Sequence, residues 1–460
     1  MSSQLNQELI QWVAKETKVS ANTVNKVISL LNESNTVPFI ARYRKEVTGG
    51  LDEVQIKSIQ DAWQYAVNLS ERKQEVIRLI DEQGKLTEEL EREINEAMQL
   101  QKVEDLYRPY KQNRRTRATV AKEKGLEPLA ELVWKQQTVD ITSEAKQYFS
   151  DEHELHTIED VLAGVNDIIA EWISDEPKYR EWIREETFKR GTILSEVKDE
   201  SKDEKNVYKM YYDYQEAVRQ IVSHRILALN RGEKEDVLRV SIEPPIERLI
   251  EFLQSKVIKE QAADLSNKEI LRSAIEDSYK RLIQPSIERE IRNSLTEKAE
   301  KQAINVFSEN LKNLLLQPPL KGRTVLGVDP AFRTGCKLAV VDETGKVLNV
   351  NVMYPTAPKN DVKGAEKIML ELIQAHRIEL IAIGNGTASR ETEQFVADTI
   401  SKHQLDIPYI IVNEAGASVY SASKLAREEF PDLEVEERSA ASIARRVQDP
   451  LAELVKIDPN

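Results

Sequence analysis

The chain changes its hydrophobic periodicity once, near residue 320, and this change limits its fold more than any other feature. Before that point, apolar residues recur every three to four positions, as in amphipathic helices. Glycine is sparse there, with seven residues before position 320 and eight after it. The segment QPPLKG at 317–322 then leads into alternating strands and helices. We therefore predict a helical region at 1–320 and one compact α/β domain at 323–456.

The helical region opens with two short amphipathic helices. Ser20 is expected to cap the second of them. The connection between the two is only a few residues long, as in a helix-turn-helix unit, although plain helical hairpins are far more common. Both interpretations stay open. The apolar faces are formed by Leu5, Leu9, Ile10 and Val13 in the first helix and by Val24, Val27, Ile28 and Leu31 in the second.

Later in this region the helical pattern has one expected interruption and one exception. Pro285 should kink or restart a helix that carries Ile270 and Ile283, because proline lacks the N–H that a helix interior needs. The segment 237–242 is the one clear strand candidate before the linker.

Beyond the linker the predicted order is βββαβαβα. A hairpin should join the second and third strands across 343–346. We predict strands at 324–328, 337–342, 347–353, 380–383 and 409–412, and helices at 361–376 and 389–402 and from 415 and 439.

Composition restricts the functional class. Charged residues make up 31% of the chain and hydrophobic residues 40%, which fits helices with solvated faces and not disorder. Cys336 is the single cysteine, which excludes a disulfide framework and a cysteine-based zinc site. The N-terminus does not resemble a signal peptide, and no apolar run is long enough to span a membrane. We expect a soluble cytoplasmic protein without a membrane segment.

The net charge of −14 argues against a generic nucleic-acid coat, because the average field repels phosphate. Nucleic-acid contacts therefore require local basic patches. One such segment lies between residues 107 and 124, where arginine offers bidentate phosphate contacts and tyrosine a stacking surface. The alternative is a face whose charges pair internally. The candidate binding residues are Tyr107, Arg108, Tyr110, Lys111, Arg114, Arg115 and Arg117, with Lys122 and Lys124 nearby.

A smaller basic patch, Arg42, Arg44 and Lys45, precedes Gly49 and Gly50. We interpret it as positioning a loop rather than binding a ligand.

Polar residues follow three of the predicted strands. Asp329, Asn385 and Glu414 each stand at a strand's carboxyl end, where open α/β sheets bind ligands. Two-metal phosphoryl chemistry needs several carboxylates around a pair of cations, and the neutral Asn385 is a weak ligand. Asp449, in the last long helix, is the one further acid near that face. The sequence thus offers Asp329 and Glu414, with Asp449 as a doubtful third.

Each of these residues also has a structural explanation. Asp329 precedes Pro330, and aspartate is common in such turns. Glu391 could substitute as a ligand, but a helix start favours an acid in any case. The segment GNGT at 384–387 could approach a phosphate through backbone N–H groups, although it lacks the ending of a P-loop. No metal site is predicted with certainty.

Long segments of the chain resemble the bacterial Tex family of transcription accessory proteins. The resemblance implies a helical scaffold with helix-turn-helix-like and coiled-coil-like parts, followed by a YqgF-type RNase H-like domain. Family members continue into helix-hairpin-helix motifs and an OB-fold RNA-binding domain, so a chain that stops at Asn460 is expected to lack both. The matching segments are TVPFIARYRKEVTGGLDE, VEDLYRPYKQNRRTRATVAKEKGLEPLA, GVDPAFRTGCK, IGNGTASRETE, VNEAGASVYSAS and SIARRVQDPLAELVKIDP.

The resemblance also bears on activity. Active relatives of this domain, such as the RuvC resolvase, keep acids on adjoining strands and on the last helix. Asp329 matches the first acid, Asn385 replaces the second, Glu414 matches an acid typical of YqgF domains, and the last helix lacks the usual pair. The nuclease centre therefore looks incomplete.

We accordingly predict a nucleic-acid-binding transcription accessory factor, a non-enzymatic scaffold associated with RNA polymerase and without a cofactor. It is expected to bind RNA or DNA with little sequence preference. Two alternatives stay open. One is a nuclease that depends on magnesium or manganese. The other is a protein-interaction module that docks on RNA polymerase or the ribosome.

Overall fold

The computed structural model describes residues 3–111, 115–136, 140–259 and 265–457, with side chains at all of these except 3–5, 265 and 266. The chain divides into two compact units, Met1–Glu300 and Lys301–Asn460. The first is mainly helical and the second is built on a five-stranded sheet, which confirms the predicted fold class. The domain limits near residue 320 stay a prediction.

Helices make up most of the first unit, and polar side chains cap several of them. Ser20 accepts a hydrogen bond from the Thr23 N–H, as predicted, while Asp52 and Thr157 form capping boxes. No helix of the described residues is long and apolar enough to cross a bilayer. The helices are α1 (Ser3–Thr17), α2 (Ala21–Asn32), α3 (Val37–Tyr43), α4 (Lys45–Thr48), α5 (Glu53–Asp81), α6 (Glu88–Glu96), α7 (Leu100–Tyr107), α8 (Arg117–Glu123), α9 (Glu127–Lys135), α10 (Ile141–Ala145), α11 (Ile158–Asp175), α12 (Pro177–Arg190), α13 (Ser223–Lys234), α14 (Ile246–Val257), α15 (Leu265–Asp277) and α16 (Gln284–Leu315).

The predicted interruption at Pro285 is confirmed. A π-helical segment, Ser278–Ile283, lies between α15 and α16, and the Gln284 N–H bonds to the Tyr279 carbonyl five residues back. Proline at 285 cannot donate the next helical hydrogen bond, so the chain changes its winding just before it. Whether α1 and α2 form a DNA-reading pair or a plain hairpin stays open.

The first unit also contains a small antiparallel sheet that the sequence pattern only partly predicted. Its strands are β1 (Thr192–Val197), β2 (Asp213–Ala217) and β3 (Leu238–Glu243), in the order β2-β1-β3. Only β3 was predicted from the sequence, and the predicted range, 237–242, begins and ends one residue before the observed strand. The sequence analysis named this strand as the one clear candidate and missed β1 and β2. Strand β2, with sequence DYQEA, has no apolar alternation and is held by backbone pairing to β1.

The second unit places four strand ends at one edge of its sheet. The strand order is β6-β5-β4-β7-β8, in which β4, β7 and β8 run parallel and β5 pairs antiparallel with β4 and β6. The carboxyl ends of β4, β6, β7 and β8 therefore share an edge. The elements are β4 (Val325–Asp329), β5 (Cys336–Val341), β6 (Val347–Met353), α17 (Val362–His376), β7 (Leu380–Gly384), α18 (Ser389–Lys402), β8 (Tyr409–Val412), α19 (Ala417–Ala422), α20 (Lys424–Glu429), α21 (Val435–Gln448) and α22 (Pro450–Leu454).

Helix α21 lies unusually close to the sheet. On one face Leu326 and Val328 pack in a core that includes residues of α17 and α18, while the opposite face packs on α21. Gly327 belongs to that second face, and a Cβ atom there would lie 2.2 Å from the carbonyl oxygen of Ala440. This glycine is required by the close approach, which fixes where every side chain of α21 lies.

We predict that Gly327→Ala lowers the free energy of unfolding of the second unit by about 1–3 kcal/mol, the usual effect of overpacking. The midpoint of thermal unfolding should fall by roughly 2–4 °C for each kcal/mol. Differential scanning calorimetry measures it. Leu348→Ala is the control, because Leu348 is 43% exposed on β6 and its truncation should change the midpoint little. Equal midpoints in both variants would contradict the packing argument.

Candidate functional site

The sheet edge brings together Asp329, Asn385 and Glu414, as the sequence predicted for residues after parallel strands. Asp329 ends β4, Asn385 follows β7, and Glu414 lies two residues beyond β8. Asp329 and Glu414 are close enough that the Asp329 charge raises the pKa of Glu414. Burial is the larger cause and raises the pKa of both carboxyl groups.

Asn385 holds the backbone next to Glu414. Its side-chain oxygen accepts a hydrogen bond from the Glu414 backbone N–H at 3.1 Å, and its backbone N–H donates to the Val412 carbonyl at 3.0 Å. These two hydrogen bonds of Asn385 tie the end of β7 to the end of β8. In this position Asn385 orients the glutamate.

Two glycines make room for the Glu414 carboxylate. A Cβ atom at Gly384 would lie 2.3 Å from Oε2, and one at Gly386 would lie 1.7 Å from Oε1. The Gly386 N–H donates to this carboxylate. The segment GNGT therefore directs a backbone donor at Glu414, which leaves that N–H unavailable to a phosphate. Oε2 is buried without a hydrogen-bond partner among the described residues.

Asp329 is surrounded by groups of its own chain. The Ser439 hydroxyl, from α21, donates to its carboxylate. Lys337 stands directly opposite on β5 and lowers the pKa of Asp329, although burial outweighs this effect. Lys337 is itself buried, and its Nζ contacts the Thr334 carbonyl at 2.8 Å and Glu436 Oε2 at 2.5 Å. The lysine thus has a fixed position beside the aspartate.

Arg446 supplies a second internal cation, beside Glu414. It lies on α21 and its Nη1 donates to the carbonyls of Asn413 and Ala415, at 2.7 and 2.8 Å, on either side of the glutamate. The charges of Glu453 and Glu414 raise the pKa of Arg446, while burial, the larger effect, lowers it. Each carboxylate of the edge therefore has one basic side chain near it.

Helix α21, which corresponds to the helix where active relatives keep acids, presents hydroxyl and guanidinium groups to the sheet edge. Ser439, Ser442 and Arg446 follow one another at helical spacing on α21. The Ser442 hydroxyl is buried without a hydrogen-bond partner in the described part of the chain. The sequence analysis missed Lys337, Ser439 and Arg446. The cross-strand pairing of Asp329 with Lys337 and the spacing along α21 are the signals that could have found them.

Asp449 does not join this group. It follows Gln448, whose side-chain amide donates to the carbonyls of Arg323 and Asp342, at the opposite edge of the sheet. Its own carboxylate caps α22 by accepting from the Ala452 N–H at 3.1 Å. Ten residues of helix separate it from Ser439, roughly 15 Å along the axis.

The side chains at the edge do not fit a pair of divalent cations. Two such ions need several carboxylates that converge on them. This edge offers Asp329 and Glu414, both with raised pKa and both beside a basic side chain, while the nearby Glu436 is paired with Lys337. Within the described ranges no three His, Cys, Asp or Glu side chains are grouped to hold a metal ion.

The predicted basic segment is divided between internal ion pairs and free cations. Arg108 pairs with Asp175 at 3.1 Å, and Arg115 pairs with Glu123 at 2.7 Å. Lys122 lies 3.9 Å from Glu171 and 3.7 Å from Glu127. These cations follow the alternative interpretation, in which a basic run neutralises neighbouring acids.

The two tyrosines of this segment are not free stacking surfaces. Tyr107 is 7% exposed, and the Arg72 guanidinium lies 5.4 Å from its ring centroid. Tyr110 is half-buried and its carbonyl accepts from the Gln83 amide.

Lys111 and Arg117 are exposed and form no ion pair with any described residue. Arg114 lies outside the described residues. Lys111 and Arg117 therefore remain as the surface cations of the segment.

Three family models match consecutive parts of the chain. Residues 7–81 match the Tex-like protein N-terminal domain, residues 136–307 the Tex central region-like model, and residues 323–448 the Tex protein YqgF-like domain. The last match contains the whole sheet and α21.

Individual relatives match along nearly the whole chain. YdcI of Bacillus subtilis is 61% identical over 98% of this chain and 63% of its own length. The transcriptional accessory protein Tex of Neisseria gonorrhoeae is 40% identical, over 97% of this chain and 59% of its own. The human S1 RNA-binding domain-containing protein 1 is 36% identical, over 99% of this chain and 47% of its own length. The chain thus spans about half to two thirds of these relatives.

We predict that Asp329→Asn lowers the pKa of Glu414, because it removes the like charge that raises it. A carboxyl group with a raised pKa binds its proton more tightly in the folded chain, so stability falls as pH rises between the unfolded and folded pKa values. In the Asp329→Asn variant, Glu414 should therefore contribute a smaller loss of stability as the pH rises. Carbon-13 NMR titration of the glutamate carboxyls measures the shift, with Asp449→Asn as the control. A Glu414 pKa that is the same in all three proteins would refute the coupling.

Proposed function

The chain belongs to the Tex family, and from this premise we propose that it is a nucleic-acid-binding transcription accessory factor that acts in the cytoplasm as a scaffold. A relative that is named a transcriptional accessory protein, and another named for an S1 RNA-binding domain, support this class of function.

One observation supports a non-enzymatic role above all. The carboxylates Asp329 and Glu414 are accompanied by Lys337 and Arg446, which reduce the negative charge that paired metal ions would require. Asn385, which stands where the family's active relatives keep an acid, instead fixes the Glu414 backbone. Contacts within the chain thus fix both the asparagine and the glutamate backbone.

Exposed cations around the same edge favour phosphate contacts. Arg333 follows β4, Lys359 follows β6 and Arg390 is the second residue of α18. All three are exposed and have no ion pair with a described residue. Lys359 Nζ lies 3.7 Å from the Tyr354 ring centroid, where an aromatic face holds the charge. Lys111 and Arg117 belong to the first unit, so each unit separately carries exposed cations on an acidic chain. Such contacts bind RNA or DNA with little sequence preference.

We predict that single-stranded RNA and duplex DNA bind this chain with an affinity that falls steeply with salt, since bound phosphates release counterions. The double variant Lys111→Glu/Arg117→Glu should weaken binding and reduce the salt slope by roughly 0.7–0.9 for each phosphate that is no longer neutralised. Fluorescence anisotropy between roughly 50 and 200 mM salt measures both quantities. Binding that does not depend on salt, or no binding at all, would count against the proposal.

We further predict no cleavage of branched or single-stranded substrates with magnesium or manganese. The test is a gel assay with end-labelled RNA and DNA. The scaffold proposal fails if products form and Asp329→Asn abolishes them while Asp449→Asn does not.

RNA polymerase or the ribosome is the assembly on which we propose that the chain acts, as the family resemblance implies. Co-purification with either that survives nuclease treatment would favour a pure protein-interaction module over nucleic-acid binding.

A further inference from the structure

The joined helices α3 and α4 expose a compact group of aromatic and basic side chains that the proposed function has not used. Thr36 caps α3 by accepting from the Phe39 N–H, and Gly49 ends α4 in the left-handed conformation. Ile40 is buried and anchors α3 in the core of α1, α2 and α5. We name the group on the outer side the α3–α4 patch, and it consists of Phe39, Arg42, Tyr43, Arg44 and Lys45.

The aromatic rings of the patch are paired and reachable. The ring centroids of Phe39 and Tyr43 lie 5.3 Å apart, with 47° between the ring planes. The Arg44 guanidinium lies 5.1 Å from the Phe39 centroid, and that of Arg42 lies 6.0 Å from the Tyr43 centroid. Tyr43 is 56% exposed. A large aromatic ring held in this way offers a face on which a planar base can stack.

The positive charges of the patch are uncompensated. Among the described residues no carboxylate lies within ion-pair distance of Arg42, Arg44 or Lys45. The Arg44 Nη1 donates only to the neighbouring Tyr43 carbonyl. In a chain of net charge −14, where many arginines pair with acids, three adjacent unpaired cations form a local positive field.

The earlier interpretation, that these residues position the loop at Gly49 and Gly50, lacks support from side-chain contacts. The Gly50 N–H donates to the Lys45 carbonyl at 2.9 Å, so the backbone of α4 holds the loop. The three basic side chains are not needed for that turn.

We propose that the α3–α4 patch binds single-stranded nucleic acid, with a base stacked on Tyr43 and phosphates contacted by Arg42, Arg44 and Lys45. The inference rests on the proposed function and adds a binding site to it. Cations alone would suit any anion, but an exposed ring beside guanidinium groups matches a chain that alternates planar bases with phosphates. A duplex hides its base faces, so a single strand is the better fit.

The test measures binding of a 12-nucleotide oligouridine by fluorescence anisotropy. Tyr43→Ala should weaken binding roughly 5- to 150-fold, the effect of removing the stacking of one base, whereas Tyr43→Phe keeps the ring and the affinity. Arg42→Glu/Arg44→Glu should weaken binding at least as much and reduce the salt slope by roughly 1.4. Tyr43 and Arg42 are exposed and Arg44 is half-buried over the Phe39 ring, so circular dichroism verifies that each variant folds before its binding is compared.

The matched control is Arg219→Glu/Arg239→Glu, which makes the same change in net charge. Both arginines are exposed in the first unit and form no ion pair with a described residue. We expect less than a threefold effect from this control.

The outcomes separate the patch from the general function. Patch variants that bind oligouridine as the control does would overturn the patch while nucleic-acid binding stands. If the wild-type chain binds neither RNA nor DNA, both proposals fail. If Tyr43→Ala has no effect and Arg42→Glu/Arg44→Glu weakens binding of a polyglutamate peptide instead of oligouridine, the occupant is an acidic protein segment and the inference is wrong.

Discussion

The packing of α21 against β4 at Gly327 is the contact on which the sheet edge depends. Because residue 327 has no Cβ, the helix backbone approaches the sheet closely enough for Ser439 to reach Asp329 and for Arg446 to reach the carbonyls that flank Glu414. A side chain at 327 would push α21 outward. Helix α21 is long enough that Ser439 lies at the edge with Asp329 and Asp449 lies near the opposite edge of the sheet.

The charges of the sheet edge are partly offset by groups of the same chain. Partial burial of the Asp329 and Glu414 carboxyl groups disfavours their ionised forms and raises their pKa. A basic side chain of the same chain, Lys337 or Arg446, partly offsets this effect for each of them. Metal-dependent nucleases resolve similar crowding with divalent ions, which the neighbouring acids hold. Here the neighbours include Ser439, Asn385, Lys337 and Arg446, and the one further acid acting on Asp329, Glu436, is paired with Lys337. This is the physical reason for proposing a scaffold rather than a catalyst.

The first unit shows how an acidic chain can keep basic surface for a ligand. Three cations of the basic segment that the sequence analysis named, Arg108, Arg115 and Lys122, lie within ion-pair distance of carboxylates of the same unit. The arginines of the α3–α4 patch are spaced so closely in sequence that short helices display them together over aromatic rings. The basic segment and the α3–α4 patch therefore differ in how many of their cations form ion pairs, which the density of charge along the sequence does not show.

The sequence by itself determined the order of helices and strands in the second unit, where β6, α18 and β8 have the predicted limits, because apolar periodicity and strand length are local properties. It also placed Asp329 and Glu414 at one edge, since carboxyl ends of parallel strands coincide. Only the tertiary structure decided that Arg446 lies beside Glu414, that Asp449 points elsewhere and that β2 is a strand. Those outcomes depend on helix packing, distance and pairing between residues far apart in the chain, which no local pattern contains.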